Sequence, residues 1–221
     1  MNDAAAVARH ALATLGAPTG WKEPAGYPGS LALCAIDSVF SLRANYAGTV
    51  KVLDRYRAHR RAEGGDPASD GGRELLGSIA AAGGPAQAAE SLFGNRSKAP
   101  GTKTRLKSEA LAEAVARLAD LGVTTTDGLR LGDLDAGSRA WRVRGLGFVS
   151  WTYLLMNAGV DGVKADTMVR RFVAQALGES GPVSVERAQA AVTGAAAELQ
   201  ATQKALDHAI WLFQRPGRKA T

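Results

Sequence analysis

The segment Asp133–Gly178, DLDAGSRAWRVRGLGFVSWTYLLMNAGVDGVKADTMVRRFVAQALG, decides how this chain is read. Its polar start suits a short helix ending near Arg142. Arg144, Gly145, Leu146 and Gly147 follow as a tight turn, because two glycines one residue apart break a helix and open the next. From Phe148 to Asn157 the sequence is almost wholly apolar and long enough for a buried helix. Beyond Gly159 a further helix begins at Asp166, with Val169, Phe172 and Val173 as its inward stripe. A glycine pair opening a helix leaves consecutive backbone N–H groups unobstructed, a geometry that receives a phosphate oxygen or merely joins two helices. Asp166 has two readings: a helix N-cap, which aspartate favours, or a fixed carboxylate with chemistry to do.

Outward from this segment the chain reads as helix. Alanine, the best helix former, recurs in AAVARHALA, SIAAAGGPAQAAE, EALAEAVARLA and AAVTGAAAELQ. A first helix over residues 2–15 stops at Gly16, and a Pro/Gly-rich stretch delays the next until Ser30. Helical runs follow over about 72–82 and 85–93, with an exposed loop expected at AEGGDPASDGG before them. The segment SEALAEAVARLADLG is strongly patterned and closes at Gly122. Ser184 caps another run, ELQATQKALDHAIWLFQ reads as one amphipathic segment, and RPGRKAT as a loose basic tail. Strand signals and solenoid repeats are not found, so the fold expectation is all-α.

Composition bounds the function classes. The 221 residues are 46% hydrophobic, enough for a packed core. A single cysteine, Cys34, excludes an intramolecular disulfide and any four-cysteine metal or iron-sulfur site. His10, His59 and His208 lack metal-ligand spacing, so neither a metal nor a cofactor is expected. No stretch has the length of an apolar membrane span and the N-terminus lacks a signal-peptide pattern, so a cytoplasmic, membrane-free protein is expected, and its expected state is a monomer. Lys and Arg number 27 against 21 Asp and Glu, and the resulting +6 has two readings, a polyanionic partner or a basic balance that merely keeps the protein soluble.

With these residues in view, the chain resembles the helix-hairpin-helix superfamily of DNA glycosylases related to endonuclease III. Val143–Gly147 (VRGLG), Phe148–Gly159 and Val163–Phe172 (VKADTMVRRF) carry the resemblance. SLALCAIDSVFSL is similar to the family's first barrel helix, and the Arg105–Leu118 helix, with Lys107 and Ala110, to the helix before the hairpin. The resemblance implies two helical lobes with the helix-hairpin-helix beside an interlobe cleft. Residues 29–162 would form the central lobe, and 1–28 with 163–221 a discontinuous second lobe. It implies that Arg144, Gly145, Gly147 and Val149 bind a DNA phosphate, and that Asp166 is the catalytic carboxylate. Asp37 and Ser38 fall where relatives place pocket or DNA-inserting residues, or are only polar positions on that helix, and Phe40, Tyr46, Trp151 and Tyr153 are aromatic candidates for the base pocket or for insertion, with a core role as the other reading of each.

The departures are informative. Bifunctional members carry a nucleophilic lysine where this chain has Val149, and valine forms no Schiff base. Lys164 lies two residues before Asp166 and is expected as an auxiliary salt partner or phosphate contact. Arg96, Lys98, Lys103, Arg105, Lys107 and Arg142 are further candidates for phosphate contact, the first five being equally readable as scattered solvated charges. The resemblance therefore implies a monofunctional glycosylase that acts on double-stranded DNA containing a damaged or modified base, in a bacterial, nucleoid-associated setting. A noncatalytic protein that recognises distorted DNA through the same fold is the alternative, and a helical scaffold with an idle Gly-x-Gly turn is a third reading.

Overall fold

The structure is a computed structural model that describes residues 2–215. Twelve α-helices and no strand occur among them. They are α1 (Asp3–Leu15), α2 (Leu31–Phe40), α3 (Tyr46–Ala62), α4 (Gly72–Ala81), α5 (Pro85–Ser91) and α6 (Lys107–Asp120), then α7 (Thr126–Leu131), α8 (Leu134–Trp141), α9 (Phe148–Asn157), α10 (Thr167–Leu177), α11 (Val185–Glu198) and α12 (Gln203–Gln214). Of the expected basic tail only Arg215 falls among the described residues.

The chain divides into two compact units. One runs from Gly26 to Val160; the other combines the residues through Ala25 with those from Asp161 onward. In the first unit α2 is the central element, with all ten residues buried against α3, α6 and α9. A helix surrounded on every side must be apolar all round, which LALCAIDSVF nearly is. Ser30 starts it, its Oγ accepting from the Leu33 amide at 3.2 Å and donating to the Asp70 carbonyl at 2.9 Å. Tyr56, Phe93, Leu111, Leu118 and Trp141 complete the core around it.

The second unit is built from α1, α10, α11 and α12. Small residues bring α1 and α11 together: a β-carbon placed on Gly194 would stand 2.7 Å from that of Ala4. Val7, Phe172, Val173, Val192, Leu206 and Ile210 fill its core.

Two sequence expectations are corrected. The segment 198–214 is not one helix: Gln200 has φ 52°, and Thr202 caps a new helix by accepting from the Ala205 amide at 3.1 Å. The loop before α4 is not wholly exposed, because Asp70 is buried and accepts hydrogen bonds from Tyr56 and Arg60. A short helix, α7, also forms where no helix is expected, capped by Thr125 through the Gly128 amide.

Candidate functional site

Local sequence builds the hairpin turn in the first unit. Trp141 at the end of α8 is fully buried and its indole N–H donates to Ser150 Oγ at 3.1 Å, while that hydroxyl donates to the Gly147 carbonyl at 2.7 Å. The two helices are thereby tied across the turn, with Leu146 buried inside it. Gly145 has φ +96°, and a β-carbon there would meet the Ala99 methyl at 2.6 Å, so glycine is required. Gly147 differs: its backbone is extended and open space surrounds the position of a β-carbon. It precedes α9, which starts without a side-chain cap. Arg144, Gly147 and Phe148 are exposed and Val149 is half-buried.

The basic residues near the turn separate into distinct groups. Arg144 lines an open concavity with Thr104, Arg105 and Glu109. Arg105 is held by the Glu113 carboxylate and Arg96 by Glu90, and the Lys98 ammonium donates to the Thr104 carbonyl at 2.9 Å. Lys107 corrects the sequence expectation. It is buried, and its ammonium donates to the carbonyls of Phe40 at 3.0 Å and Leu42 at 2.7 Å. Its task is to satisfy carbonyls at the end of α2, where a cation is also electrostatically favoured. Burial lowers its pKa to about 8.

The candidates for a base pocket divide in the same way. Phe40 and Trp151 belong to the core: Phe40 packs against Phe93 with ring centres 5.1 Å apart, and Trp151 fills the space over Gly137. Ser38 is buried and donates to the Cys34 carbonyl at 2.7 Å. These three side chains pack within the unit and have no surface to offer for insertion. Asp37, Tyr46 and Tyr153 are brought together instead. The buried Asp37 Oδ2 accepts from the Tyr46 hydroxyl at 3.3 Å and from the Tyr153 hydroxyl at 3.4 Å. Tyr27, not among the residues singled out from sequence, joins through a hydrogen bond with Tyr46. Burial first, and the Asp37 charge second, push all three phenols above their ordinary pKa. Cys34 is buried nearby, and burial likewise raises its thiol, which leaves it a poor nucleophile.

In the second unit, Asp166 is the N-cap of α10. Both cap bonds land on Oδ1, from the Met168 amide at 2.8 Å and the Val169 amide at 3.2 Å. Oδ2 is the oxygen not committed to the cap. The segment leading to Asp166 is secured to α12: Asp161 accepts from the amides of Gln203 and Lys204, and the Lys164 amide donates to Asp207 Oδ1 at 2.9 Å. Asp207 is buried, and burial together with the Asp166 charge pushes its pKa up to about 8 against the pull of Lys164. Sequence reasoning missed Asp207. The available signal was its place between Leu206 and Ile210 on the inward face of an amphipathic helix, where a carboxylate requires a reason.

The family model of DUF8548, described as a domain of unknown function, matches residues 5–215. The chain belongs to this family. No curated protein matches it, and no solved structure does. The DUF8548 match spans both the hairpin turn and the Asp166 helix. Among the described residues no cluster of three or more His, Cys, Asp or Glu is placed to hold a metal ion, and no helix is long and apolar enough to cross a membrane.

Proposed function

We propose that the protein is a monofunctional DNA glycosylase that hydrolyses the N-glycosidic bond of a damaged or modified base in double-stranded DNA, acting in the cytoplasm at the nucleoid. The observation that carries this reading is the turn at Arg144–Gly147. There the unobstructed Gly147 and a helix start without a side-chain cap offer backbone amides to a phosphate, beside the exposed Arg144. The resemblance of Val143–Phe172 to helix-hairpin-helix glycosylases and the basic net charge support it.

The chemistry assigned to Asp166 follows from its placement. Departure of a base leaves positive charge on the sugar, and a fixed carboxylate stabilises that charge and orients a water for attack. The two amides on Oδ1 fix the carboxylate and leave Oδ2 for the reacting groups. Val149 supplies no amine, so the reaction ends at an abasic site without strand cleavage by a Schiff base. Because a stacked base is out of reach, the nucleotide must leave the helix before reaction. Asp37, Tyr46 and Tyr153 are the remaining candidates to receive it, as a carboxylate with two phenols.

The test is detection of free bases by mass spectrometry after incubating wild type and Asp166→Asn with duplexes carrying alkylated, deaminated or oxidised bases. Wild type should release one class of base. The variant, which retains a capping oxygen, should lose release by about a hundredfold or more while binding the duplex as before. Equal loss of binding and release would remove Asp166 from the chemistry. Salt-sensitive binding without release by wild type would favour the noncatalytic reader of distorted DNA.

A further inference from the structure

Asp207 lies outside the residues that the resemblance singles out, yet it is joined to the segment that carries Asp166. The Lys164 amide donates to Asp207 Oδ1 at 2.9 Å, and the Asp166 amide donates to the Lys164 carbonyl at 2.6 Å. The backbone between Val163 and Asp166 therefore hangs on the side chain of α12 at one point and leads directly into the α10 cap. A second anchor lies upstream, where Asp161 accepts from the Gln203 and Lys204 amides at the start of the same helix. Residues 161–166 lie outside the helices, so these side-chain anchors take the place of a regular ladder.

We propose that Asp207 is a positioning residue for Asp166, fixing the Lys164–Asp166 backbone on α12 so that the Asp166 carboxylate keeps one orientation. The inference rests on the glycosylase reading for its consequence in catalysis, and on the geometry for the positioning itself. The charge state follows from the surroundings. Burial, and then the Asp166 charge, push the Asp207 carboxyl up to about 8, with Lys164 opposing. Near neutrality the Asp207 carboxyl is therefore mostly protonated. Two arginines on the helices around α12 have partners of their own. Arg170 of α10 donates to the Val183 carbonyl, Arg187 of α11 binds Asp3 and Glu179, and His10 of α1 lies against Phe172.

Two substitutions separate positioning from bulk stability. Asp207→Asn preserves an acceptor for the Lys164 amide and imitates the neutral acid; Asp207→Ala removes the acceptor. Base release by the Asn variant should stay within about threefold of wild type, whereas the Ala variant should lose about tenfold to a hundredfold in kcat with little change in KM. Wild-type kcat should fall above pH 8 as Asp207 acquires a second charge beside Asp166, and this fall should be missing from Asp207→Asn. An Ala variant with wild-type kcat, or an Asn variant as impaired as Ala, would overturn the proposal.

A readout independent of catalysis keeps it testable if no base is released. In wild type the Lys164 amide should resist hydrogen exchange, and Asp207→Ala should expose it while core amides of α12 remain protected. Carboxyl-carbon NMR should find Asp207 titrating near 8, and moving down in Asp166→Asn because a like charge is removed. Unchanged Lys164 exchange in Asp207→Ala, or an Asp207 titration indifferent to Asp166→Asn, would refute positioning whatever the enzyme's substrate. Failure of base release alone would refute only the glycosylase reading.

Discussion

The Lys107 ammonium donates to the carbonyl of Phe40 at 3.0 Å across 67 residues of chain, and so joins the start of α6 to the end of α2. Its pKa is lowered by burial from 10.5 to about 8, below the value in an unfolded chain. Between those values the unfolded state binds more protons than the folded one, so the Lys107 contribution to stability rises with pH across this window. Below about 8 both states are protonated and the cost of burying the charge is present in full. Lys107→Met removes that titration together with both hydrogen bonds. Urea denaturation at pH 7.5 and 10 should therefore show wild type gaining on the variant by on the order of 2 kcal/mol as the pH rises. Parallel stability profiles would mean that Lys107 does not titrate in this range.

The buried Asp70 accepts from Tyr56 at 2.9 Å and from Arg60 through Nε at 2.8 Å and Nη2 at 3.1 Å. This forked contact joins the loop before α4 to α3. Removing the Asp70 charge breaks the forked ion pair and leaves Arg60 with Glu63 alone, so Asp70→Asn should cost about 2 kcal/mol. Tyr56→Phe loses one hydrogen bond and should cost about 1 kcal/mol. Since both act on one network, the double variant should cost less than their total, as read from denaturation midpoints. Strict additivity would show that Tyr56 and Asp70 act independently.

Local chemistry made the helices legible and left their long-range partners hidden. The apolar run Phe148–Asn157, the caps Ser30, Ser184 and Asp166, and the break at Gly145–Gly147 all follow from neighbouring residues, and the structure has each of them. Lys107 looked like one more basic side chain because its partners lie on another helix. Asp207 was illegible for the same reason, its contact with Lys164 spanning 43 residues. Phe40 and Trp151 were open to a pocket reading because periodicity does not say which face of an apolar helix meets solvent. For α2 no face does, since every residue is buried. The break at Leu199–Thr202 escaped notice because the apolar pattern runs through it, although Gln200 takes a positive φ there.

The paired glycines of the turn make the final prediction, since they serve different ends. Gly145 has φ +96° and no room for a methyl group, which would press on Ala99. Gly145→Ala should therefore lower stability by about 1–3 kcal/mol, and any loss of DNA binding would follow from distortion of the turn. Gly147 has φ −122° and ψ −168°, which any residue adopts, and an added methyl meets nothing within 4 Å. Gly147→Ala should leave the Tm unchanged, because neither strain nor a clash opposes it. If the amides around Gly147 receive a phosphate, however, that methyl stands where an oxygen must approach, and duplex affinity should fall about tenfold, a loss of about 1.4 kcal/mol. Fluorescence anisotropy on a short duplex at fixed salt measures the effect, with thermal melting as the control for folding. A variant that melts and binds like wild type would reduce the turn to a connection between two helices, and the phosphate contact would have to be sought elsewhere on the chain.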